Sequence, residues 1–318
     1  AASARAELAA EATAIADEAD DPHLAFVVHH VAYGTAVCVG DATRAARYLE
    51  RLHDIADPIG EPLMRWHVGI IETFVATMAA RFEEAERIAN ETWALGLQIG
   101  DPDAFGVFAG QFFFLGTFAG RHAELFPIVQ QMMDADSHVA PLFRAAHALV
   151  CNELGRPDVG EAVLADVMAA GLDAISRDSF GSTTLIAHAV LAIELDDVTA
   201  AEWLFPVIAP LAGEVSFNGV TSQGPVSAYV GKLASMLGQH DDAERHLLDA
   251  LATTEAFGWE YHHATTLIAL AQNQLRATAS LNAIGEEWLS KAEKLCATYG
   301  MTSWLQRAAK LRQLASTQ

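Results

Sequence analysis

One tight turn recurs along this chain, and each occurrence leads into an amphipathic segment. Gly40-Asp41-Ala42-Thr43-Arg44-Ala45 is followed by Ala80-Arg81-Phe82-Glu83-Glu84-Ala85 and Gly120-Arg121-His122-Ala123-Glu124-Leu125. Gly155-Arg156-Pro157-Asp158, Asp196-Asp197-Val198-Thr199-Ala200-Ala201 and Gly238-Gln239-His240-Asp241-Asp242-Ala243 continue the series. The turns begin at 40, 80, 120, 155, 196 and 238, so the steps are 40, 40, 35, 41 and 42 residues. A period of that size means stacked helical hairpins, each too small to bury its apolar face without its neighbours. The expected fold is all-α: a right-handed superhelical solenoid of about seven antiparallel helix hairpins.

Each repeat reads as helix A, the turn, then helix B. In the second, Pro62 falls in the first turn of helix A, where its missing N–H costs nothing. Leu63, Trp66, Ile70, Phe74 and Met78 then recur at helical spacing. Beyond the turn, Ala85, Ile88, Ala89 and Thr92 mark one face of helix B, with Glu84, Glu86, Arg87 and Glu91 on the other. Gly100 closes that helix, as Gly171, Gly258 and Gly300 close later ones. Asp or Glu at the turn supplies the cap of helix B, and the alanine at the sixth turn position (Ala45, Ala85, Ala201, Ala243) permits close helix packing. Hairpins are expected at 24–56, 62–99, 102–136, 139–170, 180–212, 223–257 and 259–299. A leading helix at 4–19 and a trailing one at 302–315 complete a single domain spanning 1–318. Segment 213–224 is polar and glycine-rich, so an irregular loop is expected there; no run reads as a strand. Segment 277–285 lengthens the last turn.

Lys and Arg number 19 against 41 Asp and Glu, a formal charge of −22. With no Lys/Arg stripe to offset it, this charge repels phosphate backbones and argues against direct nucleic-acid binding. Apolar residues make up 52% of the chain, yet its most apolar stretch, 104–119, is interrupted by Gln111 and is too short to span a bilayer. The first residues show no basic stretch followed by an apolar one. Cys38, Cys151 and Cys296 lie far apart within helical patterns and read as small buried side chains, as expected in a cytoplasmic protein. The start at Ala1-Ala2-Ser3-Ala4, without methionine, leads us to expect a piece of a longer polypeptide.

The chain carries no recognisable catalytic motif. Gly231-Lys232 lacks both the preceding glycine and the following Ser or Thr of a phosphate-binding loop, and H-E-x-x-H and G-x-S-x-G are missing. His29-His30 and His262-His263 are adjacent pairs, whose side chains diverge by about 100° on a helix and cannot chelate one ion together. They read as packing or hydrogen-bonding histidines. No catalytic residue, cofactor or metal is expected.

The densest local feature is Phe105, Phe108, Phe112, Phe113, Phe114 and Phe118. A helix apolar on several faces is either sandwiched between neighbours or lines a groove for an apolar ligand or partner helix. In stacked hairpins the A helices line the concave surface, so polar or aromatic residues embedded in them are groove candidates. These are His30, Arg65, Trp66, Gln111, Phe113, Phe114, Arg144, His188, Tyr229 and Tyr261. Arg144, on an otherwise apolar helix, reads equally as a salt-bridge partner for the adjoining repeat.

Several segments in order resemble the C-terminal tetratricopeptide-like (TPR-like) region of large actinobacterial signalling ATPases. That group includes proteins with an adenylate/guanylate cyclase domain and LuxR-type transcription activators. The resemblance is carried by Arg65-Trp66, by Arg81-Phe82-Glu83-Glu84-Ala85-Glu86-Arg87 and by Gly100-Asp101-Pro102-Asp103-Ala104 before the helix with Gln111. Gly224-Pro225-Val226-Ser227-Ala228-Tyr229-Val230-Gly231 and Leu237-Gly238-Gln239-His240-Asp241-Asp242-Ala243-Glu244-Arg245-His246 extend it, over roughly 5–275. The cyclase, nucleotide-binding and DNA-binding modules of such proteins lie outside this region, so the resemblance implies a non-catalytic sensor or scaffold. The expected function is recognition of a protein segment or regulatory ligand on the concave face. The alternative is a small-molecule sensor with an apolar pocket near Phe105–Phe118.

Overall fold

The structure is a computed structural model that describes residues 2–133, 140–175 and 179–316. It is mostly helical. Sixteen α-helices and two short strands follow one another among the described residues. They are α1 (Ala2–Glu18), α2 (Pro22–Cys38), α3 (Ala42–Ile59), α4 (Pro62–Met78), α5 (Phe82–Ile99), α6 (Ala104–Phe118), α7 (His122–Met133) and α8 (Ala140–Glu153). There follow α9 (Pro157–Ala170), α10 (Ser179–Glu194), α11 (Val198–Ile208), β1 (Val215–Phe217) and β2 (Ser222–Pro225). The chain ends with α12 (Val226–Met236), α13 (His240–Phe257), α14 (Glu260–Thr278), α15 (Ala283–Thr298) and α16 (Thr302–Ser316). The expected boundary between third and fourth hairpins, 136–139, lies outside the described residues.

The recurring turn has one backbone solution. Three residues join α2 to α3, α4 to α5, α6 to α7, α8 to α9, α10 to α11 and α12 to α13. The middle one is Gly40, Ala80, Gly120, Gly155, Asp196 or Gly238, with φ between 52° and 80°. This left-handed residue lets the next amide reach back to a carbonyl in the last helical turn. Those bonds, Asp41→Ala36, Arg81→Ala76, Arg121→Gly116, Arg156→Cys151, Asp197→Ala192 and Gln239→Ala234, measure 2.7–3.0 Å. Asp41 and Asp197 also cap the following helix, accepting from the amides of Arg44 and Ala200; Arg81, Arg156 and Gln239 make no such side-chain bond. Behind each turn the two helices meet at small side chains. Ala45, Ala85, Ala201 and Ala243 are all buried, opposite Ala36, Ala76, Ala192 and Ala234 in the same register.

Segment 213–224 departs from the loop expected there. Val215–Phe217 and Ser222–Pro225 form an antiparallel ribbon, with Val215 opposite Pro225 and a bulge between Ser216 and Phe217. All seven strand residues are buried. Three or four residues are too few to display a period of two, and half of these side chains are polar. Their polarity is satisfied within the ribbon: Ser216 Oγ donates to Gln223 Oε1 at 2.9 Å, and Asn218 Oδ1 accepts from the amides of Val220 and Thr221. Helix α12 consequently begins at Val226 rather than at 223.

Helices pack against their neighbours in sequence, but α14 also touches α4. The largest apolar cluster contains Phe26, Tyr33, Phe74 and Met78 from the early helices together with Trp259, Tyr261 and Leu267 from the late ones. Phe118 of α6 stacks on Tyr261 of α14, with ring centres 3.7 Å apart and planes 13° from parallel. No helix among the described residues is long and apolar enough to cross a membrane.

Candidate functional site

Two residues before each turn, the A helices carry Cys38, Met78, Phe118, Glu153, Glu194 and Met236 in equivalent register. Much of this ladder is covered by other parts of the same chain. Phe217 of the ribbon packs against Phe74 and Tyr33, and its carbonyl accepts from the Cys38 thiol at 3.7 Å. Met78 and Phe118 border a space of about 10 Å³ closed by Thr221 and Ser222 of the ribbon. Further along, Tyr261 covers Phe118, and Arg307 of α16 reaches both Glu153 and Glu194.

That last contact joins side chains from distant parts of the chain. Arg307 Nη2 donates to Glu153 Oε1 at 2.6 Å and Nη1 donates to Glu194 Oε1 at 2.7 Å. Its guanidinium carbon lies 4.6 Å from the centre of the Trp304 ring, which provides a cation–π contact. Trp304 Nε1 donates to the Tyr261 hydroxyl at 2.9 Å. Glu153 and Glu194 are the last residues of α8 and α10, where the helix dipole opposes a negative charge. The acids therefore depend on Arg307, and the two carboxylates in turn hold the half-buried guanidinium firmly protonated against its desolvation. Burial raises the pKa of the Tyr261 phenol and lowers that of the nearby His122 imidazole.

These groups enclose a cavity of about 80 Å³ between α6, α7, α8, α10, α14 and α16. Thr117, Leu149, Val150, Val190 and Ser303 complete its wall. The Thr117 hydroxyl is buried without a hydrogen-bond partner. The wall combines the charged and aromatic groups with the aliphatic side chains of Leu149, Val150 and Val190. Among the described residues no three His, Cys, Asp or Glu side chains converge to hold a metal ion.

The residues singled out in the sequence fall into separate places. His30 and Trp66 both contact His67, with ring centres 4.9 and 5.0 Å away. Trp66 is buried with Ile70 and Ala104, and its Nε1 edge lies over Gly96, leaving no room for a Cβ there. Gln111 is buried nearby and donates to the Ile70 carbonyl at 2.8 Å. His188 is buried on α10, its Nδ1 2.7 Å from the Thr184 carbonyl, and burial lowers its pKa. Phe113 packs beside Leu125 and Val129, whereas Phe114 leans on Phe118; both are half-buried. Tyr229 donates its hydroxyl to the Gln223 carbonyl in β2. Arg65 and Arg144 are exposed and join neither group. Only Tyr261 of the ten lines the larger cavity.

Glu153, Glu194, Trp304 and Arg307 were not legible as a group. One signal was available: acids ending two successive A helices, at the pole that disfavours them, call for a compensating cation. No protein-family model matches the chain, and no curated protein is significantly similar to it.

Proposed function

We propose that this chain is a non-catalytic, TPR-like recognition segment of a cytoplasmic signalling or transcription-regulatory protein. Its hairpins form a superhelix, and a regulatory ligand or protein segment bound on the inner face passes its signal to an output domain elsewhere in the polypeptide. The observation supporting this reading is the Arg307 clasp. One side chain from the end of the chain ties α8 to α10 beside a cavity, so anything bound there changes contacts among three sequence-distant helices at once. A ligand that binds one arrangement of the clasp better than another would shift the population of the two. The space beside Phe114 and Phe118 has room for about one water, so the apolar-pocket alternative lacks comparable support.

The test combines native mass spectrometry with hydrogen exchange. Protein isolated from its own cells should carry an adduct or a larger polypeptide mass than 34.0 kDa, and the released molecule should slow exchange in α8, α10 and α16. A bare mass of that size, with exchange in these helices unaltered by both metabolite and peptide fractions, would sink the reading.

A further inference from the structure

We propose that copies of this chain associate head to tail, with α16 of one copy seated against α1 of the next. This contact is independent of what the Arg307 clasp recognises. Register comes first. Asp20-Asp21-Pro22, Gly60-Glu61-Pro62 and Gly100-Asp101-Pro102 stand at equivalent places, 40 residues apart, and each begins with a left-handed residue. So α1, like α3 and α5, is a helix B. One face of a helix B meets the helix A before it: Gly69 of α4 leaves room for Thr92 of α5, and Ala76 lies with Ala85. On that face α3 has Tyr48, Leu52 and Ile55, and α5 has Ile88, Thr92 and Leu95, all buried or half-buried. The matching residues of α1 are Leu8, Ala12 and Ile15. All three are exposed, Leu8 by 66% and Ile15 by 60%, and α1 packs chiefly on α2 behind it.

The last helix is in the complementary phase. Gly300-Met301-Thr302 matches Gly60-Glu61-Pro62, with Gly300 left-handed, so α16 corresponds to α4 and is a helix A. The residues of α16 that match Gly69 and Ala76 are Ala309 and Ser316, both small and exposed. Set against α1, α16 continues the alternation of A and B helices from one copy into the next, each buried by its neighbours. Charge selects the same pairing. The chain carries −22 overall, yet α16 contains Arg307, Lys310 and Arg312 and no acid. Helix α1 contains Glu7, Glu11, Asp17 and Glu18 against Arg5 alone. Arg5, Asp17, Arg307 and Arg312 have partners within their own copy, whereas Glu7, Glu11, Glu18 and Lys310 form no ion pair among the described residues. A basic helix on an acidic one is favoured, while two copies of α1 face to face would oppose their acids. Because the two faces differ, every assembly keeps one α1 and one α16 free, and growth does not stop at a dimer.

Sedimentation velocity in about 0.15 M NaCl, where repulsion between the copies is screened beyond about 8 Å, supplies the readout. The mass of the parent should rise with concentration above 34.0 kDa. Leu8→Glu/Ile15→Glu blocks the α1 face and Ala309→Glu/Lys310→Glu blocks the α16 face. All four side chains are exposed, so the circular dichroism of both variants should match the parent's. Each variant alone should remain a monomer. Each also keeps one intact face, so an equimolar mixture should give a species of twice the monomer mass and nothing larger. A parent that stays at 34.0 kDa at every concentration overturns the proposal without recourse to either variant. An α1 variant that still self-associates, or a mixture that gains no mass, overturns it as well. So does a monomeric parent that co-purifies with another protein which Leu8→Glu/Ile15→Glu releases, since the α1 face then belongs to that protein.

Discussion

Gly116 and Leu125 face each other across the third hairpin in a register that four other hairpins fill with two alanines. A Cβ on Gly116 would lie 2.6 Å from Leu125 Cδ2, so the glycine exists to admit the leucine. The fourth hairpin shows a related exchange, Cys151 with Gly160. Gly116→Ala alone should cost about 1–3 kcal/mol through overpacking. Leu125→Ala alone should cost about 2–5 kcal/mol through the cavity it leaves. Made together they restore the alanine pair, so the double variant should lose at least about 1 kcal/mol less than the sum. Additive losses in urea denaturation would show that the two residues do not share one space. Histidines at this scale give the fold a pH dependence. Burial pushes His262 down to about 3, and burial with neighbouring His67 pushes His30 down to about 4, from an ordinary 6.5. The folded state thus favours neutral imidazole. Its stabilisation is complete above pH 6.5 and is lost as pH falls from there toward the folded values. Urea midpoints should drop between pH 7.5 and 5, above the window in which the lowered carboxyl of Asp17 acts. The drop should be smaller in His262→Phe, and a flat profile in the parent protein would contradict the assignment.

At the scale of elements, the turns were readable because their chemistry is local. A left-handed residue two positions beyond the helix end favours glycine, and four of the six turns supply it directly. Ala80 and Asp196 adopt the same conformation, so the surrounding pattern identified them where composition alone would not. Ala279 is left-handed at the exposed end of α14, and Ala279→Gly should raise stability by up to about 1 kcal/mol in chemical denaturation. A loss would mean that the added freedom of the unfolded chain outweighs the relief of strain. The ribbon was unreadable for the opposite reason. Serines, glycines and Gln223 signal a solvated loop unless one knows that Phe217 anchors them against Phe74 and Tyr33. Phe217→Ala should therefore behave as a core truncation and cost about 3–5 kcal/mol. A cost near that of a surface loop residue would show that the ribbon rests loosely on the helices. The candidate site was hidden similarly: Tyr261 could be chosen from its helix, but Glu153, Glu194 and Arg307 acquire meaning only when three distant segments meet.

Across the whole molecule, late helices pack against early ones, with Trp259, Tyr261 and Leu267 in one cluster with Phe26, Tyr33 and Phe74. Arg307 ties α16 to α8 and α10, while Arg312 ties it to Glu286 and Glu293 of α15. Arg307→Ala should accelerate hydrogen exchange at the C-terminal ends of α8 and α10 more than in α3 or α5. Equal acceleration everywhere would mean that the clasp contributes only to global stability. The sequence period identified which helices pair along the chain, but carries no information about what the residues two before each turn meet, because that contact joins residues without a common register. The stacking of Phe118 on Tyr261 has a further consequence during synthesis. A ribosome adding about 5–20 residues per second needs roughly 7–30 s to pass from one ring to the other. Throughout that interval the nascent chain holds α6 without the aromatic partner that covers Phe118. The first hairpins can form in order of emergence, but the apolar cluster they share with Trp259, Tyr261 and Leu267 is complete only once those late residues have been made.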